Sequence, residues 1–185
     1  MKIKKEEKEN QEKFFNVPNI ITSFRLILVF VFIYMLFNKF EIYYTLSVFI
    51  VAAATDWFDG FFARKLNQTS KFGARMDYIV DRIFTILVVS SLFIYMFLEG
   101  ILEKEFSLLL MSVSREILGT PGFLIALIRK KEYYHVRYIG KVTTFVQSCA
   151  LGAIILGVSW AIYFAVATCI LGIISGFTYL KYSLE

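Results

Sequence analysis

Apolar residues in this chain gather into long runs rather than alternating with polar ones. Six such runs follow one another, over 20–37, 42–62, 77–98, 106–128, 141–158 and 160–180. About 20 helical residues are needed to cross a hydrocarbon core of ~30 Å, and each run is close to that length. One apolar run can be the core of a soluble domain, but six in succession joined by short connections leave too little polar surface to cover them. A transmembrane barrel is excluded because no ten-residue alternating segments stand between turn signals. The pattern predicts an all-α integral membrane protein of six transmembrane helices. Residues 1–15 are expected to form a short amphipathic juxtamembrane segment, and 16–185 a single membrane domain.

Composition agrees with lipid as the main solvent: 58% of the 185 residues are hydrophobic and 18% aromatic. Charge adds an orientation. Arg64, Lys65, Lys71 and Arg75 flank the second connection, and Arg129, Lys130, Lys131, Arg137 and Lys141 crowd the fourth. The third reads "EGILEKE", with three glutamates to one lysine. Lysine and arginine favour the cytoplasmic side, so the second and fourth connections and both termini are expected there, in a multi-pass protein of the cell inner membrane. The net charge of +5 is explained by topology, and no nucleic-acid partner is expected.

The opening "MKIKKEEKENQEKFF" mixes lysine with glutamate and is unlike a cleavable signal peptide; a surface helix and a solvated tail are both compatible with it. Cys149 and Cys169 form no CxxC pair and read as packing residues. His135 stands alone without ligand spacing. Gly172 and Gly176 form a GxxxG that suits close helix approach within the chain or between two copies.

Four aspartates interrupt this apolar background. Asp56 and Asp59 are one helical turn apart near the end of the second run, and Asp77 and Asp81 one turn apart at the start of the third, where a helix dipole would favour them. The expected topology brings both ends to one membrane face. Four carboxylates in a partly dehydrated place repel unless protons or cations compensate them. Hard oxygen donors select Mg²⁺, Mn²⁺ or Ca²⁺, and two ions suit the charge better than one. Gly60, Ala63 and Gly73 leave room beside them, and Arg64 offers a fork of donors for phosphate. Helix capping would explain any one aspartate, but explains the set poorly.

These positions spell DxxDGxxARx(8)GxxxDxxxD, from Asp56 through Gly60, Ala63, Arg64 and Gly73 to Asp81. The pattern resembles the signature of the CDP-alcohol phosphatidyltransferases. The resemblance implies two Mg²⁺ or Mn²⁺ ions held by Asp56, Asp59, Asp77 and Asp81, and a CDP group received by Asp56, Gly60, Ala63, Arg64 and Gly73. It also implies Asp81 as general base, and a homodimer. Within the family, "NVPNIITSFRLIL", "SREI" and "GKVTTFVQ" are similar to the bacterial phosphatidylglycerophosphate synthases, which join CDP-diacylglycerol to glycerol 3-phosphate and release CMP. After Asp77 this chain reads "YIVDR" where those synthases commonly have "PxADK", so Tyr78 and Arg82 depart from the pattern.

A phosphorylated acceptor calls for cations near the metals, and Arg25, Arg115 and Lys141 stand where hydrocarbon is otherwise expected. Each has a plainer reading: Arg115 paired with an acid such as Glu116, Arg25 and Lys141 snorkelling to headgroups. Arg82 is a fourth candidate, and Thr22, one turn before Arg25, would add a hydroxyl. Two alternatives stay open. One is a sibling transferase whose acceptor is phosphatidylglycerol, as in a cardiolipin synthase, or serine or an inositol phosphate. The other is a divalent-cation transporter.

Overall fold

The computed structural model describes residues 17–65, 71–128 and 137–184; the segment expected to lie at the membrane surface, the connection 66–70, the basic loop with His135 and the last residue fall outside them. The described residues form six helices and no strand: α1 Val17–Phe37, α2 Ile42–Lys65, α3 Lys71–Leu98, α4 Leu102–Ile128, α5 Arg137–Ile155 and α6 Ala161–Leu184.

Three of them contain windows long and apolar enough to cross a membrane: Ile20–Phe37, Ile79–Leu98 and Ala161–Thr178. In α2, α4 and α5 the apolar stretch is shorter, Ile42–Thr55, Glu105–Ser114 and Val142–Ile155. In α2 it stops at Thr55 because Asp56, Asp59, Arg64 and Lys65 follow within the same helix.

Helix starts differ from the apolar runs. The run expected to open at Asp77 belongs to a helix that begins at least six residues earlier, at Lys71, so Gly73 is helical. Hydropathy marks where a helix enters lipid, whereas the backbone is already helical through Lys71 and Arg75. The dipole explanation for Asp77 and Asp81 therefore fails, since that effect fades after the first turn. α4 likewise begins at Leu102 and α5 at Arg137, which leaves Lys141 one turn inside α5.

Three connections are closed by the same device. After α1, Phe40 N–H donates to Met35 C=O and Lys39 N–H to Leu36 C=O, with Lys39 at a φ of 54°. After α3, Ile101 bonds Met96 and Gly100 bonds Phe97; after α5, Val158 bonds Ala153 and Gly157 bonds Ile154. These are Schellman turns, which satisfy the last carbonyls of a helix and need one left-handed residue. A Cβ at Gly100 or Gly157 would meet nothing within 4 Å, so the backbone angle rather than space selects glycine there. Ring pairs lie beside the turns, Tyr34 with Phe40, Phe93 with Phe106 and Trp160 with Phe164.

The helices divide into two compact units between Ser91 and Leu92. In the first, α1 packs along α2, with Phe32 against Phe49 and Phe49 stacked on Phe84 of α3 at 6.1 Å. In the second, α6 packs on both α4 and α5. Its buried stripe is Ala161, Ala165, Thr168, Gly172 and Ser175, small residues that let helix backbones approach. Internal packing therefore accounts for Gly172 and Gly176.

Both units bury polar side chains among apolar ones and turn further apolar side chains outward. Arg25, Thr45, Thr143, Thr168, Ser112 and Ser175 are among the most deeply buried side chains, while Ile27, Phe30, Ile86, Tyr163 and Phe177 are exposed. Many interior hydroxyls donate to a carbonyl one turn back in their own helix, as Ser112 does to Leu108 and Thr168 to Phe164, both at 2.8 Å. Apolar outer faces of this extent suit a lipid solvent, in which every backbone group is satisfied inside the helix.

Candidate active site

In the first unit the core-facing positions follow a regular three-and-four spacing. α1 buries Thr22, Arg25, Val29, Phe32 and Leu36, and α2 buries Thr45, Phe49 and Ala52. Continued along α2, the alternation reaches 56, 59 and 63. On α3 the buried Phe84, Val88 and Ser91 extend back to 81 and 77. By this spacing positions 56, 59 and 77 continue the buried faces of α2 and α3, while Asp81 is half-buried beside the buried Val80.

Ring contacts fix the register. Phe49 stacks on Phe84 in the α2–α3 hairpin. Asp56 follows Phe49 by seven residues and Asp77 precedes Phe84 by seven, which sets positions 56 and 77 at about the same level of an antiparallel pair. Asp59 is one turn nearer the connection and Asp81 one turn farther, so the four positions span about 10 Å along the axes at ~1.5 Å per residue.

Asp56, Asp59, Gly60, Ala63, Arg64, Gly73 and Asp77 all lie on helical backbone. Gly60, Ala63 and Arg64 fall in the last turns of α2 and Gly73 in the first turn of α3. Asp81 is half-buried, and its backbone carbonyl accepts a 3.0 Å bond from Thr85 Oγ1.

A cation lies at the same level. Arg25 is 1% exposed, and its Nε donates 3.1 Å to Thr55 Oγ1, on the residue adjoining Asp56. Arg25 therefore does not snorkel; its guanidinium is inside the α1–α2 pair. Thr22, 4% exposed, lies one turn away on the same face. Arg82 is half-buried.

The other two expected cations belong to the second unit. Arg115 is the midpoint of α4, and Lys141 lies one turn into α5. Gln147 Nε2 of α5 donates 2.9 Å to the Ser112 carbonyl of α4. Counting six residues from each end of that bond brings position 141 level with 118, one turn from 115, about 4.5 Å along the axis. Beside Arg115, Glu116 is buried. Thr55 and Gln147 carry interhelical bonds that hydropathy and spacing did not single out. The available signal was modest: Thr55 adjoins Asp56, and Gln147 is a polar residue in an apolar run, six positions beyond Lys141.

The donor set at positions 56, 59, 77 and 81 is four carboxylates and no sulfur or imidazole, the chemistry of a hard divalent cation. A model of the CDP-alcohol phosphatidyltransferase family matches residues 15–174, which takes in the first five helices, the first part of α6 and every one of these positions. The chain is 38% identical over 138 residues to the CDP-diacylglycerol–glycerol-3-phosphate 3-phosphatidyltransferase of Wigglesworthia glossinidia brevipalpis, over 74% of each chain. It is 32% identical over 146 residues to the protein of that name from Escherichia coli strain K12, over 74% of this chain and 75% of that one. The corresponding protein of Shigella flexneri serotype 5b is matched to the same extent. With most of the chain matched by the family model and by these relatives, this protein belongs to the CDP-alcohol phosphatidyltransferase family.

Proposed function

We propose that the chain transfers the phosphatidyl group of CDP-diacylglycerol to sn-glycerol 3-phosphate, giving phosphatidylglycerophosphate and CMP. The observation that carries this reading is the level shared by positions 56 and 77 and the buried Arg25, an acidic and a basic element at one height of the first unit. The names of the relatives supply the substrates.

Asp56, Asp59, Asp77 and Asp81 would hold two Mg²⁺ or Mn²⁺ ions, which draw charge from the pyrophosphate when bound. Gly60, Ala63, Arg64 and Gly73, with Asp56, receive the CDP group, and the acyl chains stay in lipid. The hydroxyl of glycerol 3-phosphate forms a new O–P bond at the phosphorus that carries diacylglycerol. The bond from that phosphorus to the bridging oxygen breaks, and CMP leaves with the electron pair. Asp81 takes the proton of the attacking hydroxyl. Arg25, Arg115 and Lys141 hold the acceptor's own phosphate, a task that an uncharged acceptor would not set.

The purified protein, given CDP-diacylglycerol and a panel of alcohols, is expected to release CMP fastest with glycerol 3-phosphate. Faster release with phosphatidylglycerol, serine or an inositol phosphate would move the assignment to a sibling transferase. The ion-transport alternative has no observation of its own in its favour.

The reading includes six membrane spans, both termini and the aspartates on the cytoplasmic side of the inner membrane, and a homodimer. Single cysteines at Lys71, Lys104 and Lys131, in a background lacking Cys149 and Cys169, test the orientation. An impermeant thiol reagent added to intact cells should label position 104 and spare 71 and 131. Labelling at 71 but not 104 would reverse it.

A further inference from the structure

Thr55 is 8% exposed and sits between two bonds that leave its hydroxyl no choice of role. Its Oγ1 donates 2.6 Å to the Ala52 carbonyl in its own helix, so the single hydroxyl proton is committed there. Toward Arg25 the same oxygen can only accept, and it does so from Nε at 3.1 Å. A guanidinium is planar, and fixing Nε on one side fixes the plane and direction of the two Nη groups at the other end. The bond joins α1 to α2 at the level of positions 56 and 77.

We propose that Thr55 is a positioning residue for the acceptor: it orients the Arg25 guanidinium toward the phosphate of glycerol 3-phosphate and takes no part in holding metal or donor. This rests on Arg25 as an acceptor-phosphate ligand. It accounts for a hydroxyl, rather than another apolar residue, at the last position of the apolar part of α2. Valine has the shape of threonine without its acceptor, and serine keeps the acceptor without the methyl group.

The test uses the full-length protein in detergent, with initial rates of CMP release against glycerol 3-phosphate, CDP-diacylglycerol and Mn²⁺ in turn. Thr55→Val should raise KM for glycerol 3-phosphate by roughly tenfold or more, the size expected for a lost bond to a charged group. The KM for CDP-diacylglycerol and the Mn²⁺ dependence should stay as in the parent. Thr55→Ser should restore the parent value. In an Arg25→Gln background, Thr55→Val should add nothing further, since its effect passes through that guanidinium.

A Thr55→Val effect that persists undiminished without Arg25, or one that appears as a raised Mn²⁺ requirement, would overturn the proposal. So would loss of folding in both Thr55→Val and the smaller Thr55→Ala, seen as aggregation in detergent, which would make the bond structural. An active parent whose Thr55→Val variant keeps its KM sinks this inference alone. A parent that uses no glycerol 3-phosphate sinks the reading beneath it as well.

Discussion

Asp56→Asn and Asp77→Asn should each reduce CMP release to below about a thousandth of the parent rate, the scale on which losing one preorganised electrostatic group acts at a phosphoryl-transfer site. Asparagine keeps the size of the side chain and removes its charge. Excess chelator should do the same to the parent protein. A second readout separates metal binding from a general loss of structure. Mn²⁺ should raise the thermal unfolding temperature of the parent, because a ligand that binds only the folded state stabilises it. It should do so less in either variant. Without metal the order should reverse, the asparagine variants being the more stable, since removing one of several like charges from neighbouring positions relieves repulsion. Full activity in chelator, or equal Mn²⁺ stabilisation of parent and variants, would remove the metal site from these positions.

Charge removal at the three proposed acceptor ligands should give the next largest effect, and a different kinetic signature. Arg25→Gln, Arg115→Gln and Lys141→Gln are each expected to lower kcat/KM for glycerol 3-phosphate by roughly 10- to 150-fold, corresponding to about 1.5 to 3 kcal/mol for a charge-assisted contact. Binding of CDP-diacylglycerol should hardly change, because Gly60, Ala63, Arg64 and the aspartates remain. Arg25 carries the sharpest form of this prediction: its guanidinium is 1% exposed and joined to α2, so glutamine there must be shown to leave the unfolding temperature near that of the parent. Equal loss of donor affinity in folded variants would contradict the assignment.

The aspartates were visible in the sequence because a carboxylate in an apolar run has few explanations, and their spacing survives whatever surrounds it. Six helices were legible as long apolar runs, and in α1, α3 and α6 the apolar stretch is long enough to cross a membrane. The helix starts were not legible. Lys71 and Arg75 are as polar as a loop, yet they are helical, and this changed the account of Asp77 from a dipole-stabilised end residue to an interior one. Thr55 gives no signal in the sequence, because a threonine in a helix is usually satisfied by its own backbone, as this one is through Ala52. Only the three-dimensional register reveals that its oxygen also serves a residue thirty positions away. Lys39 shows the same limit on a smaller scale. Glycine announces the left-handed residue in two of the three Schellman turns, while in the first a lysine takes that role unannounced.

The bond between Arg25 and Thr55 also constrains how the protein is made. As α1 leaves the translocation machinery, Arg25 stands within its apolar window with its α2 partner not yet synthesised, and an unpartnered ionisable group there is costly. The link from Phe37 to Ile42 is too short to let α2 fold elsewhere and return. On the proposed six-span topology the two helices settle into the bilayer as one hairpin, and the guanidinium is sheltered as that hairpin forms. A nascent chain ending just after α1 should slip back out of the membrane more readily than one extended through Thr55.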